Sequence, residues 1–176
     1  MSAAAPQETL HRFLVQGPVG ELICLSRNHR IVGLAFPGQL QILNRLSHNA
    51  VVLNQTVEEL RCVLQEHLNQ KIEYQHHFSA LPLELHGSAL QKKVWFELTQ
   101  IPWGETRSYS DIAAKIGEGV HPRAVANAIA ANPILILIPC HRVISKSGKL
   151  SGYSGGIENK RKLLEWEREN LPQKRS

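Results

Sequence analysis

The sequence predicts an α+β protein built of two small modules. Residues 11–36 alternate apolar and polar positions between breaks containing Gly, Pro and Asn, the pattern of a β-meander. From residue 57 onward, apolar residues recur at helical spacing in a series of segments separated by Gly and Pro. Around LPLELHGSAL the composition shifts, which divides the chain into an N-terminal module over 1–85 and a helical C-terminal module over 86–176.

Bulk properties narrow the class. The chain has 176 residues, 43% hydrophobic and 20% charged, in the range of an ordinary globular protein of one or two small domains. No stretch of about twenty apolar residues exists to predict a membrane span. The start, MSAAAPQETLHRF, has neither a basic n-region nor an apolar h-region, so no signal peptide is expected. Three cysteines, Cys24, Cys62 and Cys140, are an odd number without tight spacing and give no disulfide framework. A reducing, intracellular setting suits free thiols of this kind. The net charge of +5 and pI near 9.3 permit a nucleic-acid partner without demanding one.

In chain order, residues 1 to about 8 read as a loose tail. HRFLVQ, ELICLS and RIVGLAF read as strands, with GPVG and RNH as the turns between them and Pro37-Gly38 as the close. Thr56 is the expected N-cap of a helix over VEELRCVLQEHLNQ, with Glu59 completing a capping box. Val57, Leu60, Val63, Leu64 and Leu68 form its apolar stripe, and Cys62 within it is either packing or an inert surface thiol. Ser88 is positioned to cap a helix from Ala89 to about Gln100, which Pro102-Trp103-Gly104 breaks. SYSDIAAKIG predicts a short helix ending at Gly117. PRAVANAIAAN predicts another, with Pro122 in its first turn, and the two form a helix-turn-helix candidate. The second helix is almost without bulk at Ala124, Ala126, Ala128, Ala130 and Ala131. Such a helix either packs closely inside a core or, with Arg123 at its start, offers a smooth surface to a nucleic-acid groove. A last helix runs from Asn159 to Glu169, followed by a frayed basic tail.

Nine histidines raise the question of a metal, with His76, His77, His86 and Cys24 as the candidates. Their spacing matches no compact zinc pattern, so no metal is expected.

The chemistry is expected in NPILILIPCHRVISKSGKLSGYSGG, residues 132–156. The apolar run Ile134–Ile138 reads as a buried strand or extended segment ending at Pro139. It delivers Cys140 beside His141 and Arg142, a base and a cation that would lower a thiol pKa and activate it. Taken alone, a free cysteine after an apolar run is more often a small buried hydrophobe without reactivity. Either Glu165 or Glu167 on the last helix could turn inward toward His141.

From about Gln91 to Glu167 the chain resembles the O6-alkylguanine-DNA alkyltransferases, also called methylated-DNA–protein-cysteine methyltransferases. The resemblance rests on KVWFELTQIPWGETRSYSDIA, RAVANAIAANP, IPCHRV, LSGYSGG and KRKLLEWE in mutually fitting register. It implies DNA repair by direct reversal, in which Cys140 takes a methyl or alkyl group from O6 of guanine irreversibly, once per molecule. O4 of thymine is a further acceptable position in such proteins. His141 is then the base, acting through a water, and Glu167 orients it. Tyr109 donates to the base as charge develops, and the Ser154 N–H meets O6, both following the logic of an oxyanion hole. The carbonyls of Cys140 and Val143 select guanine through its amine, Asn132 braces the turn, Tyr153 walls the pocket and Lys160 supports it. A guanine inside a duplex hides O6, so the nucleotide must be flipped out. Arg123 fills the resulting gap, and Ala124, Ala126 and Asn127 join Tyr109 in meeting the minor groove. Ala126 departs from the glycine usual at that place, adding one methyl to the face. The family outline further implies a ribonuclease-H-like N-terminal module, no organic cofactor, double-stranded DNA containing O6-alkylguanine as partner, no membrane, a monomer, and a cytoplasmic location that becomes nuclear in a eukaryote.

Two other function classes compete. A non-catalytic sensor of damaged guanine would lack the acceptor cysteine, whereas Pro139-Cys140-His141-Arg142 is intact. A cysteine hydrolase or redox protein would turn over repeatedly or need a resolving thiol, and no CxxC spacing is present.

Overall fold

The structure is a computed structural model that describes residues 8–48, 50–69, 81–150 and 152–171. Strands β1 (Thr9–Gly17), β2 (Gly20–Arg27) and β3 (Arg30–Ala35) form the expected antiparallel meander. Asn28 and His29 close β2 to β3 with φ of 48° and 58°. Two successive left-handed residues are what a two-residue type I′ turn requires, and Asn tolerates that region better than most side chains.

Two elements of the N-terminal module were not anticipated. After Pro37-Gly38 the chain forms helix α1 (Leu40–Leu46) and strand β4 (Val51–Leu53), which pairs parallel to β1 and gives the sheet order β3-β2-β1-β4. Seven and three residues are too few to display a period. Helix α2 (Glu58–Asn69) buries Leu60, Leu64 and Leu68 and packs against β1. It begins at Glu58, with the Arg61 N–H donating to the Val57 carbonyl, so Val57 rather than Thr56 stands at the N-cap position. Cys62 is exposed, which settles it as a surface thiol.

The helical region follows its punctuation closely. Helix α3 (Ala89–Thr99) opens on a full capping box, Gln91 N–H to Ser88 Oγ at 3.2 Å and Ser88 N–H to Gln91 Oε1 at 2.8 Å. Helix α4 (Tyr109–Ile116) repeats the device with Ser108 and Asp111. Helix α5 (Pro122–Ala130) carries Pro122 in its first turn, and helix α6 (Ile157–Glu169) starts two residues earlier than expected. Helices α3, α4 and α5 pack on one another. Strands β5 (Arg107–Ser108) and β6 (Val143–Ile144) pair parallel, bringing the start of α4 alongside the segment that follows the reactive cysteine.

The apolar run before Cys140 is buried as expected, but it is not a strand. Only its first residues meet β3, Leu34 N–H to the Pro133 carbonyl at 2.9 Å and Leu135 N–H to the Leu34 carbonyl at 2.8 Å. The chain then folds back through Ile136, at φ 71°, and the Ile138 N–H returns to the Ile134 carbonyl at 3.1 Å. A left-handed β-branched residue is strained and persists only where its surroundings fix it. Leu34, Ile134, Leu135, Ile138 and Cys140 all belong to one continuous buried cluster that spans the sheet and the helices. A run buried on every side has no polar period, so its sequence cannot distinguish strand from turn. Among the described residues no helix is long and apolar enough to cross a membrane.

Candidate active site

Pro139 ends the buried turn, and Cys140–Arg142 form a single 3-10 turn. Cys140 is 2% exposed and lies in the lining of a cavity of about 280 Å³. One side of that cavity is α5, through Ala126, Ile129 and Ala130. Gly152, Tyr153 and Ser154 of the glycine loop line it too, as does Tyr109.

Asn132 holds the thiol. Its Nδ2 donates to Cys140 Sγ and to the Ile138 carbonyl, both at 2.9 Å, while its Oδ1 accepts from the Ile134 N–H at 3.0 Å. Burial pushes the Cys140 pKa up to about 11, against the Asn132 hydrogen bond, the Lys160 charge and the thiol's own backbone N–H, which all pull it down. The expectation of a thiol activated at rest by its neighbours is thus corrected. Desolvation of the thiolate outweighs them, and the resting group is protonated.

Arg142, expected beside the thiol, turns away from it. Its Nε and Nη2 reach both oxygens of Glu167 at 2.9 to 3.1 Å, and Nη1 donates to the Ile101 carbonyl at 2.6 Å. The same carboxylate accepts from His141 Nε2 at 2.7 Å and from the Gly104 N–H at 3.2 Å. Trp103 Nε1 donates to the Glu167 carbonyl at 2.7 Å, and its ring lies under the Arg142 guanidinium. Burial pushes the Glu167 pKa up, but His141 and Arg142 outweigh it and hold the carboxyl at about 2. Burial also lowers the His141 pKa, overcoming the pull of Glu167. An ionised carboxylate only accepts, so His141 carries its proton on Nε2 and Nδ1 is the free base. Nδ1 is buried and has no hydrogen-bond partner among the described residues. The question of which glutamate faces His141 is answered by Glu167, since Glu165 pairs with Arg161 at the surface.

Lys160 is fully buried on α6, and its Nζ donates to the Val143 carbonyl. The Val143 N–H in turn donates to the Cys140 carbonyl, so each of the two carbonyls expected to read guanine already accepts one bond. Each keeps a second lone pair. Tyr153 stands edge-on to His141, with ring centroids 6.3 Å apart, and its hydroxyl is buried without a partner among the described residues. A Cβ at Gly155 would come within 2.4 Å of the Tyr153 ring, so the glycine is what lets the loop close on it.

Helix α5 presents Arg123, Asn127 and Ala130 as exposed residues, with Ala124 and Ala126 half-buried. Val125, Ala128 and Ile129 face inward. Ala128 thus packs into the core, while Ala124, Ala126 and Ala130 stay wholly or partly at the surface. Arg123 makes no ion pair among the described residues. Of the metal candidates, Cys24 is buried in β2 and His86 lies against Glu84 and Arg27. His76 and His77 lie outside the described residues.

Sequence reasoning missed the anchoring set of Arg142, Trp103 and Gly104. The available signal was the pairing of PWG with EWE, two Trp-containing motifs far apart in sequence whose rings meet at 4.8 Å between Trp103 and Trp166.

Comparison with known proteins agrees with this geometry. The family profile of the 6-O-methylguanine DNA methyltransferase DNA-binding domain matches residues 89–169. A methylated-DNA–protein-cysteine methyltransferase of Haemophilus influenzae is 35% identical over 151 residues, covering 86% of this chain and 82% of that protein. One from Mycobacterium tuberculosis is 54% identical over 90 residues, 51% of this chain and 54% of that protein. By that measure the chain spans only about half the length of the mycobacterial relative. The crystal structure of the Mycobacterium tuberculosis O6-methylguanine methyltransferase superimposes with a TM-score of 0.75 at 35% identity, covering 93% of this chain and 96% of that one. A structure described as the mycobacterial protein in complex with DNA gives a TM-score of 0.71 at 33% identity, over 94% of this chain and 96% of that one.

Proposed function

Because the chain belongs to the methylated-DNA–protein-cysteine methyltransferase family, we propose that it repairs DNA by moving an alkyl group from O6 of guanine onto Cys140. One observation carries this reading: the Cys140 thiol lines a cavity walled by α5, the helix whose exposed face is small apart from Arg123 and Asn127.

The thiol must lose its proton as it attacks, since it is protonated at rest. His141 Nδ1, kept unprotonated by the Glu167 contact at Nε2, takes that proton through a bridging water. The sulfur–carbon bond forms as the O6–carbon bond breaks, and the electron pair stays on the base. The Tyr109 hydroxyl and the Ser154 N–H meet that developing charge, and the base leaves as guanine once it regains a proton. The thioether formed on Cys140 has no route back, so each molecule acts once. Asn132 holds the sulfur in line. The second lone pairs of the Cys140 and Val143 carbonyls read the guanine amine, with Lys160 fixing the latter and Tyr153 closing the wall.

O6 reaches this cavity only from a flipped nucleotide. Arg123 takes the vacated place in the stack, while Ala124, Ala126 and Asn127 enter the minor groove. The N-terminal module over 1–85 acts as a brace, its β3 edge bonded to the segment before Cys140. The protein works as a monomer in the compartment that holds DNA, the cytoplasm of a bacterium or the nucleus of a eukaryote.

Single-turnover transfer assays with Arg123→Ala test the reading. The variant should react with a duplex containing O6-methylguanine at least tenfold more slowly than the native chain, on the scale of a lost stacking contact of ~1–3 kcal/mol. Its reaction with free O6-alkylguanine base should stay within about twofold of native. Equal losses on both would remove the finger role, and no transfer by the native chain from either would remove the function.

A further inference from the structure

The last four carbonyls of an α-helix have no partner within it and must be satisfied from outside or by the closing turn. In α5 two are closed locally: Asn127 accepts from the Ala131 N–H and Ile129 from the Asn132 N–H. The Ala128 carbonyl is taken by Trp95 Nε1 at 2.8 Å, from the core side. The Ala130 carbonyl is taken by the Ser154 hydroxyl at 2.9 Å, from the glycine loop. Ala130 and Ser154 both line the cavity, and this hydrogen bond joins the two elements there. The Ser154 backbone N–H donates to no group among the described residues, which leaves it available to the cavity.

From this arrangement we propose that the Ser154 hydroxyl is a positioning group, registering the glycine loop against the last turn of the DNA-reading helix. The inference rests on the alkyl-transfer reading above and assigns the side chain a task separate from that of its own backbone N–H. The loop approaches the cavity through Gly152, at φ 45°, and leaves it through Gly155 and Gly156, the latter at φ 87°. Glycine-rich backbone of this kind does not hold its own place. Besides the Tyr153 carbonyl, which accepts from Gly156, and the Gly155 carbonyl, which accepts from Asn159, the Ser154 hydroxyl ties the loop to a different element. It fixes the distance between the wall that carries the N–H donor and the wall set by α5. How far α5 enters the groove then determines where the donor stands over the flipped base. A donor displaced by a fraction of an ångström loses its preference for the developing charge while DNA binding, which is made by the exposed face of α5, is unaffected.

The test is a split between binding and chemistry. Ser154→Ala and Ser154→Thr are compared with the native chain for single-turnover rate at saturating duplex containing O6-methylguanine. Affinity for the same duplex is measured in a Cys140→Ala background. The alanine variant should lose about tenfold in rate with affinity within about twofold, and the threonine variant, which keeps the hydroxyl, should recover to within about threefold of native. An alanine variant with native rate, a loss confined to affinity, or a threonine variant as slow as alanine would each overturn the proposal. Failure of the native chain itself to transfer would instead indict the alkyl-transfer reading.

Discussion

Asn132 Nδ2 stands 2.9 Å from Cys140 Sγ and, through the same nitrogen, 2.9 Å from the Ile138 carbonyl. One amide thereby ties the thiol to the buried turn that delivers it, and its oxygen holds the entry of that turn at Ile134. Asn132→Ala would leave the Ile134 N–H buried without its acceptor, a loss of about 1–3 kcal/mol. Urea unfolding should show that drop, together with slower alkyl transfer. A change under about 0.5 kcal/mol, the range of inconsequential surface substitutions, would mean that the amide does not brace the turn.

Glu167 joins His141, Arg142 and the Gly104 N–H deep in the protein, at 2% exposure. Glu167→Gln removes the charge that Arg142 needs, and breaking a buried pair of this kind costs about 3–5 kcal/mol. Its pH dependence has a definite sign. The folded pKa near 2 lies below the ordinary 4.5, so the group stabilises the fold above 4.5 and that contribution fades as pH falls from 4.5 toward 2. Thermal melts of the native chain should decline over that window more steeply than those of the glutamine variant. Parallel curves would contradict the assignment.

Alkylation by iodoacetamide distinguishes the resting state of Cys140 from that of an activated thiol. Cys62 is exposed, whereas Cys140 is buried, and burial pushes its thiol pKa up to about 11. Peptide mapping at neutral pH should find label on Cys62 first, with Cys140 labelling faster as pH rises. Equal labelling of the two at neutral pH would show that the thiol is already ionised.

The parts of the fold that announce themselves locally were legible in the sequence. Ser88 was readable as a cap, SYSDIAAKIG as a short helix and RNH as a turn, and the capping boxes of Ser88 with Gln91 and Ser108 with Asp111 explain why those helices start there. Thr56 misled by one position, because a capping residue followed by Val57 and Glu58 suits either start. The site was legible as a set of motifs in register, which singled out Cys140, His141, Asn132, Tyr153, Ser154 and Glu167 before any geometry.

Side-chain direction was not legible. Adjacency of Cys140, His141 and Arg142 suggests three groups side by side, yet in a 3-10 turn each successive residue rotates by about 120°. The thiol therefore faces the cavity while the guanidinium reaches Glu167 and Ile101. Nor could residue types alone reveal that burial outweighs every group lowering the thiol pKa.

The measurement that bears most directly on the central claim is intact-protein mass spectrometry after incubation with a duplex oligonucleotide containing O6-methylguanine, followed by peptide mapping. The account predicts one added methyl group per protein molecule, located on Cys140, and none on a Cys140→Ala variant that still binds the duplex. Methyl on Cys62 or Cys24, continued methylation of the Cys140→Ala variant, or a native chain that binds the damaged duplex and stays unmodified would contradict it.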